Sequence, residues 1–266
     1  MTKIITKLFL LMACTYISNT FSEEVNYLIV EGKSPPFQIT HEGKSNGGII
    51  TDIVKEVFNG SPYTVKYHVL PLNRLYKIVE SGQLDNWIAY DAKAWNSLSQ
   101  WGDFVSEPLF SVNHTYLTCK KNPPAQIKSV SELSHQNIAI IRDFIHPELN
   151  ELEDSHLLNL VPVENYSQGI NLAALNRVDG FVEMELRIRF NIKNELTNNS
   201  CFQFVYMGDI IPTYSIYFST DKRNTDINTF VNKRIKALKK ANEIDKIMSR
   251  YTQTGANRLA TKKTAP

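Results

Sequence analysis

The stretch SPPFQITHEGKSNGGIITDIVKEVF, residues 34–58, decides the fold of this chain. It predicts the end of a strand, a turn with two prolines, a polar loop with two glycines and then a helix. The adjacent prolines stop the strand before them, and Gly47 and Gly48 permit backbone angles that are closed to other residues. Thr51 is expected to cap the helix. A strand that delivers an exposed loop into a helix is typical of a small-molecule site in an α/β sheet.

The same stretch resembles the N-terminal signature of the bacterial extracellular solute-binding proteins, family 3, the group of periplasmic binding proteins that take up polar amino acids. The resemblance rests on the Pro-Pro-Phe triplet, the variable polar loop and the G-I-x-x-D-I pattern at residues 48–53. Three later segments are similar to elements of the family: the G-x-x-D at residues 82–85, the crossing segment DFVSEPLF at residues 103–110 and the R-x-D at residues 177–179.

The resemblance implies an α/β protein with the two-lobed, type II periplasmic binding protein-like fold and two hinge crossings. Lobe 1 is expected to contain residues 23–112 and 214–252, and lobe 2 residues 113–213. The hinges are expected near residues 109–113 and 208–214.

Local signals in the first ninety residues predict βα-type units with parallel strands and right-handed crossovers. Pro71 is expected to begin a helix that ends at Gly82. Ser129 and Glu132 form an S-x-x-E capping box for a short helix. Asn165 is expected to cap another helix.

The composition is that of an ordinary globular protein of 266 residues, with 42% hydrophobic and 21% charged residues. This length leaves room for one large domain or two modest ones. The formal net charge is only +2, so the chain lacks a strong positive field that would attract nucleic acid or acidic lipid. Residues 253–266 are polar and are expected to form a disordered tail.

Residues 1–22 are predicted to be a signal peptide. Lys3 and Lys7 give it a positive start, and the apolar run that follows is too short to span a bilayer. Cleavage is expected before Glu23, which would release a periplasmic product. Alternatively, the segment that ends at Cys14 resembles a lipoprotein box, and a lipid on that cysteine would anchor the protein to a membrane.

The sequence has three cysteines, of which Cys119 and Cys201 remain if Cys14 leaves with the signal peptide. Two cysteines can pair in an oxidising compartment. A disulfide that closes so long a loop would be worth roughly 4–5 kcal/mol in the chain-entropy model. Two separate buried thiols are the alternative, and the sequence leaves both open.

No known catalytic motif is found in the sequence: G-x-S-x-G, H-E-x-x-H, C-x-x-C and P-loop patterns are missing. The six histidines are dispersed, without the spacing of metal ligands. The sequence therefore predicts a protein that is not an enzyme and that needs no metal or cofactor.

The resemblance also implies where a ligand binds, because loops at strand ends hold the ligand between the lobes of such proteins. Phe37 and Tyr90 are expected to stack on a planar or apolar ligand. Arg142 could form a fork with a carboxylate, and Glu183 or Glu185 could pair with an amine. The residues expected at the cleft are Ser34, Pro36, Phe37, Ala89, Tyr90, Asp91, Ala92, Arg142, Asp143, Phe144, Glu183 and Glu185.

The region after the third predicted strand departs from the family pattern. Amino-acid binders of the family place an arginine there that clamps the α-carboxylate of the ligand. Residues 92–104, AKAWNSLSQWGDF, contain Lys93 as their single cation, and a lysine lacks the bidentate fork of an arginine. The missing arginine weakens the expectation of an α-amino-acid ligand. Arg74 and Arg142 are the arginines from other parts of the sequence that could take its place.

Together these features predict a periplasmic protein that captures a small polar solute, amino acid-like or an organic acid, by lobe closure. It would act as a monomer, without nucleic acid, and deliver the solute to an inner-membrane permease of an ABC-type importer. One alternative is a ligand-sensing module for a membrane receptor. Another is a dehydratase-like enzyme on the same fold, which would need Glu183 or Asp91 as its acid or base.

Overall fold

The computed structural model describes residues 22–144, 146–194 and 200–252. The predicted tail at residues 253–266, the alternative lipid site at Cys14 and all of the predicted signal peptide except Ser22 lie outside the described residues. None of the helices in the described ranges combines the length and apolar character that crossing a bilayer requires.

Thirteen strands and seven helices alternate along the described residues, with one short 3-10 helix at Val130–Leu133. The strands are β1 (Glu23–Val30), β2 (Thr40–His41), β3 (Lys44–Ser45), β4 (Tyr63–Leu70), β5 (Trp87–Ala92), β6 (Gly102–Phe104), β7 (Phe110–Val112), β8 (His114–Thr118), β9 (Asn137–Ile141), β10 (Asn159–Val163), β11 (Gly180–Met184), β12 (Gln203–Tyr206) and β13 (Tyr214–Asp221). The helices are α1 (Ile49–Phe58), α2 (Leu72–Glu80), α3 (Pro147–Asp154), α4 (Tyr166–Ala174), α5 (Glu185–Asn194), α6 (Thr225–Lys240) and α7 (Glu243–Thr252).

The first sheet has the strand order β4-β1-β5-β13-β6, with β7 beside β13. Strand β1 runs parallel to β4 and β5, and β13 runs antiparallel to β5. Because side chains alternate between the faces of a strand, Tyr27 and Ile29 pack on the side of α1, whereas Leu28 and Val30 pack on the side of α2. Helices therefore cover both faces of this sheet, which explains why β1 is so uniformly apolar.

The second sheet has the strand order β10-β9-β11-β8-β12. Strands β10 and β11 run parallel to β9, and β8 is antiparallel to both β11 and β12. Its core joins Ile141 and Phe181 of the sheet to Ile170 of α4 and Ile188 of α5. We call the first sheet with α1, α2, α6 and α7 lobe 1, and the second sheet with α3, α4 and α5 lobe 2.

The chain crosses between the lobes twice. It leaves the first sheet at Val112, at the end of β7, and enters the second sheet at His114. It leaves β12 at Tyr206 and enters β13 at Tyr214. These two crossings join the sheets at residues 112–114 and 206–214.

The prediction that Thr51 caps the first helix is wrong. Helix α1 begins at Ile49 with Gly48 at its N-cap, at φ 115° and ψ 161°. Only glycine adopts these angles readily, so the loop ends and the helix begins before Thr51 is reached. Thr51 instead lies inside the helix, fully buried, with its hydroxyl 3.1 Å from the hydroxyl of Tyr27.

A disulfide joins Cys119 and Cys201 in the structure. Cys119 directly follows β8, and Cys201 lies just before β12. The bond therefore ties β12, the edge strand of the second sheet, to its neighbour. Of the two possibilities that the sequence leaves open, the structure contains the pairing.

Candidate functional site

A cavity of about 70 Å³ lies between the two lobes. One buried water needs only a small fraction of this volume, so the cavity has room for several water-sized molecules. Lobe 1 supplies an apolar wall that includes Leu28, Leu75 and Trp95, together with Tyr90 and Asp91. Lobe 2 supplies a mainly polar wall of His114, Asp143, His146, Glu183 and Arg187, together with Phe144 and Met184.

Arg187 is the central cation of this cavity, and the sequence did not indicate it. It lies on the first turn of α5, and its side chain is 2% exposed. Its Nη2 donates to the hydroxyl of Tyr90 at 3.0 Å. Its guanidinium carbon lies 4.6 Å from the ring centre of Phe37 and 5.1 Å from that of Phe144. The cation is thus held between two aromatic faces, one from each lobe.

The guanidinium of Arg187 is charged in the folded protein. Burial lowers its pKa, but the neighbouring Tyr166, Tyr90 and Glu183 raise it, and the net result is a pKa above the ordinary value. The cavity therefore contains a permanent positive charge that faces little water.

Glu183, at the end of β11, lies next to this cation and is 1% exposed. Its Oε1 accepts from the backbone N–H of Met184 at 2.8 Å and from Nη1 of Arg187 at 3.4 Å. The contact with Arg187 is long and single rather than bidentate. A buried ion pair of this kind stabilises a protein only when further hydrogen bonds complete it.

Buried polar atoms without a hydrogen-bond partner are concentrated around this cavity. Among the described residues there are five such side-chain atoms. Four of them, His114 Nδ1, His146 Nε2, Glu183 Oε2 and Arg187 Nε, belong to residues that line the cavity. Each unsatisfied buried group costs about 1–3 kcal/mol, so a polar molecule that bonded to them would recover part of that cost.

The two histidines of the cavity are neutral. Burial, helped by the neighbouring His146 and Arg187, lowers the pKa of His114 to about 3. Burial also lowers the pKa of His146. A neutral imidazole has one nitrogen that donates and one that accepts, so this wall can bond to both donors and acceptors of a ligand.

The predicted residues Ser34, Phe37 and Tyr90 come together at this site. The hydroxyls of Ser34 and Tyr90 are 3.0 Å apart, and the rings of Phe37 and Tyr90 meet edge to face at 6.0 Å. Ser34 and Phe37 are fully buried, so they support the half-buried Tyr90 rather than line the cavity themselves.

Asp91 lines the cavity, but the structure uses its carboxylate within the loop that follows β5. Its Oδ1 accepts from the N–H of Ala92 at 2.7 Å, and its Oδ2 from the N–H of Leu98 at 3.1 Å. Burial raises its pKa to about 6, although these backbone hydrogen bonds oppose the rise. Asp91 therefore shapes the wall that contains Trp95.

Asp143 lies at the rim of the cavity, whereas Arg142 turns away from it. Asp143 adopts φ 69° at the end of β9 and pairs with Lys33 of lobe 1 at 3.0 Å. The side chain of Arg142 is half exposed and pairs with Glu164 at 2.5 Å. The turn after β9 thus sends two successive side chains in different directions.

Three more of the predicted residues lie outside the cavity. Arg74 is exposed on α2. Lys93 lies 4.9 Å from the ring centre of Tyr217, in a separate depression. Glu185 pairs with Arg189 at 2.6 Å on the outer side of α5.

Comparison with known proteins agrees with this arrangement. The family model of the bacterial extracellular solute-binding proteins, family 3, matches residues 27–254. No curated protein sequence matches the chain significantly.

Solved structures with the same fold include three of bacterial origin. One is from work on glutathione import through GshT and the cystine ABC importer TcyBC of Streptococcus mutans, with a TM-score of 0.70 and 20% identity over 86% of this chain and 95% of that one. The amino acid ABC transporter substrate-binding protein AbpA of Streptococcus pneumoniae, bound to L-arginine, has a TM-score of 0.66 and 18% identity over 86% and 94%. The periplasmic VFT2 domain of BvgS from Bordetella pertussis has a TM-score of 0.68 and 16% identity over 86% and 93%.

Proposed function

The chain belongs to the bacterial extracellular solute-binding proteins, family 3, and from that premise we propose that it captures a small polar solute between its lobes for an ABC-type importer. The observation that carries the proposal is the group of four unpartnered polar atoms at the interlobe cavity. Native proteins pair nearly all buried polar groups, so such a concentration marks a place where a ligand completes the bonding.

The mechanism is closure of the lobes, with no bond made or broken. Residues 23–112 with 214–252 would move as one body and residues 113–213 as the other. The hinges would be the crossings near residues 109–113 and 208–214. Closure brings Tyr90 of lobe 1 onto Arg187 of lobe 2, and it removes the ligand from water.

The cavity suits a small solute with both polar and apolar parts. Arg187 and Glu183 offer one charge of each sign, and the two neutral histidines add donors and acceptors. Leu28, Leu75 and Trp95 offer an apolar surface on the opposite side. An amino acid-like compound or an organic acid combines these features, and the volume of about 70 Å³ in the closed form favours a small one.

An importer is the partner that we favour. AbpA is a substrate-binding protein of an amino acid ABC transporter, and the S. mutans structure comes from work on an ABC importer. Both share the fold of this chain. In this scheme the closed form docks, as a monomer, on an inner-membrane permease and releases the solute there.

A sensory module is the second candidate, because the same fold occurs in BvgS and in the ligand-binding core of GluR0. The two candidates differ in the fate of the solute. Deleting the gene should abolish uptake of a radiolabelled solute if the protein serves an importer. It should leave uptake intact but change a transcriptional or behavioural response if the protein serves a receptor.

We place the protein in the periplasm. The predicted signal peptide supports this location, and so does the disulfide between Cys119 and Cys201, because disulfides persist in oxidising compartments. Osmotic-shock fractionation tests the location. Release with the soluble fraction is expected, whereas retention in the membrane fraction would favour the lipid on Cys14.

A thermal-shift screen combined with small-angle scattering tests the proposed function. The panel contains amino acids, organic acids, amines, sugars and short peptides. A ligand that binds only the native form raises its melting temperature, and closure should reduce the radius of gyration. A panel in which no compound raises the melting temperature and compacts the protein would overturn the proposal.

A further inference from the structure

We propose that Arg187 anchors a carboxylate of the solute, and that the solute therefore loads onto lobe 2 before lobe 1 closes over it. This inference rests on the proposed function, because it assigns the charged anchor of the same cavity. The three cations that the sequence suggested for the cleft, Arg74, Lys93 and Arg142, lie elsewhere. Among the described residues that line the cavity, Arg187 is the single arginine or lysine.

Arg187 has hydrogen-bonding capacity to spare. Its Nε–H has no partner among the described residues although it is buried. Its Nη2 bonds to Tyr90, its Nη1 lies 3.4 Å from Glu183, and Tyr166 is a further hydrogen-bond partner of the guanidinium. A guanidinium presents five N–H donors in a planar fork. The edge that includes Nε is therefore available for a carboxylate, the anion whose geometry matches this fork.

Lobe 2 itself holds one face of this fork, because the ring of Phe144 lies 5.1 Å from the guanidinium. The ring of Phe37, in lobe 1, covers the guanidinium at 4.6 Å when the lobes are closed. A binding group held in this way loses little conformational freedom when it binds, which favours affinity. The buried ion pair would have all its hydrogen bonds if the solute placed a carboxylate on Arg187 and donated a hydrogen bond to Oε2 of Glu183.

The order of loading follows from how the polar atoms are divided. All four unpartnered atoms, on His114, His146, Glu183 and Arg187, belong to lobe 2. Lobe 1 contributes mainly the apolar wall and the hydroxyl of Tyr90. The unpartnered polar atoms that the solute can bond are therefore concentrated on lobe 2, so the solute binds there first and burial against lobe 1 follows on closing.

The test compares carboxylic acids with their carboxamides on the full mature chain. The probes are the twenty L-amino acids and a series of mono- and dicarboxylic acids, and each compound that raises the melting temperature is measured again as its carboxamide by calorimetry. The wild type should bind the acid roughly 30-fold or more tightly than the carboxamide, the usual minimum effect of removing one partner of a buried charged hydrogen bond.

The Arg187→Lys variant should reduce this preference, because a lysine keeps the positive charge but lacks the bidentate fork of an arginine. It should bind the acid more weakly than the wild type does and bind the carboxamide almost as the wild type does. The matched control is Arg189→Lys, because Arg189 lies on the same helix but is exposed and paired with Glu185. It should keep the wild-type ratio. Trp95→Ala, in the wall of lobe 1, should weaken binding of both compounds and leave the ratio of the affinities for acid and carboxamide unchanged.

If Arg187→Lys does not fold, the double variant Glu183→Gln/Arg187→Gln removes both buried charges together and supports the same comparison. An unchanged or tighter affinity of either variant for the acid overturns the inference, since Arg187 would then only fill the cleft. If amines or sugars bind and compact the protein but no carboxylate does, the inference fails while the proposed function holds. If no class of compound binds, both fail.

Discussion

The ammonium group of Lys33 lies 3.0 Å from a carboxylate oxygen of Asp143, and this ion pair joins lobe 1 to lobe 2 beside the cavity. The same ammonium donates to the carbonyl of Arg142 at 3.1 Å. The hydroxyl of Tyr166 donates to the carbonyl of Lys33 at 3.3 Å. The closed lobes are therefore fastened at one edge by contacts that involve no ligand.

Replacing Lys33 with methionine should favour the open form. The ligand-free protein should have a larger radius of gyration in small-angle scattering, because a contact between the lobes is lost. The free energy of unfolding should change by less than about 1 kcal/mol, since the pair is partly exposed. The control is Lys66→Met, whose partner Glu24 lies in the same sheet at 3.4 Å. An equal radius for the two variants would contradict the role of Lys33.

Removing the disulfide should destabilise lobe 2. The bond joins residues that are 82 apart in sequence, and loss of a native disulfide typically costs about 2–5 kcal/mol. The Cys119→Ser/Cys201→Ser variant should therefore unfold at a lower urea concentration than the wild type. Mass spectrometry of the intact protein should show two hydrogens gained on reduction. A mass that reductant does not change would show two free thiols.

The buried histidines should make the protein less stable in acid. Burial lowers the pKa of His114 to about 3, while the ordinary value is about 6.5. The unfolded chain thus binds one more proton between these values. Stability is complete above pH 6.5 and falls as the pH drops towards 3, by at most about 1.4 kcal/mol per pH unit for one proton.

The variant His114→Gln should flatten this part of the pH profile of the unfolding free energy. The groups that face His114 are His146 and Arg187, with the ring of Tyr214 at 4.9 Å. Asp91 has the opposite effect on the pH dependence of stability, because its pKa is raised to about 6 in the folded protein. Asp91 is the same in both proteins, so the difference in unfolding free energy between variant and wild type isolates the contribution of His114. The exposed His41 provides the control, as His41→Gln should leave the slope unchanged.

Replacing Gly48 with alanine should disrupt the turn that positions Phe37. An added Cβ would lie 2.5 Å from the carbonyl oxygen of Phe37, and φ is 115° at this position. Backbone strain alone costs about 1–3 kcal/mol there, and the clash adds to it, so a loss of about 3 kcal/mol or more in urea unfolding is expected.

Gly60→Ala separates strain from clash. Gly60 also has a positive φ, of 66°, but an added Cβ would meet nothing within 4 Å. This variant should lose only about 1 kcal/mol. Equal losses at the two glycines would show that the contact with Phe37 does not matter.

The family and the two-lobed α/β fold could be predicted from the sequence, and both are confirmed. Most local signals have short-range causes and appear as predicted. Ser129 and Glu132 form their capping box, and Asn165 accepts a hydrogen bond from the backbone of Gln168 at the start of α4. The prediction that Thr51 caps α1 failed because Gly48, three residues earlier, adopts the backbone angles of the N-cap.

The site was harder to predict, because side-chain direction at strand ends depends on packing between distant parts of the chain. Arg142 and Asp143 are neighbours, but only Asp143 faces lobe 1. Arg187 and Arg189 both lie at the start of α5, and the sequence does not say which one is buried. The spacing of four residues between Glu183 and Arg187 was no signal of a helical ion pair, because Glu183 lies in β11 and only Arg187 lies in α5.

The position of β13 has a consequence for how the protein is made. This strand lies between β5 and β6 in the first sheet, yet it follows every strand of the second sheet along the chain. During synthesis, residues 114–206 emerge complete while the first sheet still lacks an interior strand. The half of the molecule that is translated first is therefore the last to be finished, and until Tyr214 emerges the edge of β5 is open to any other strand that meets it.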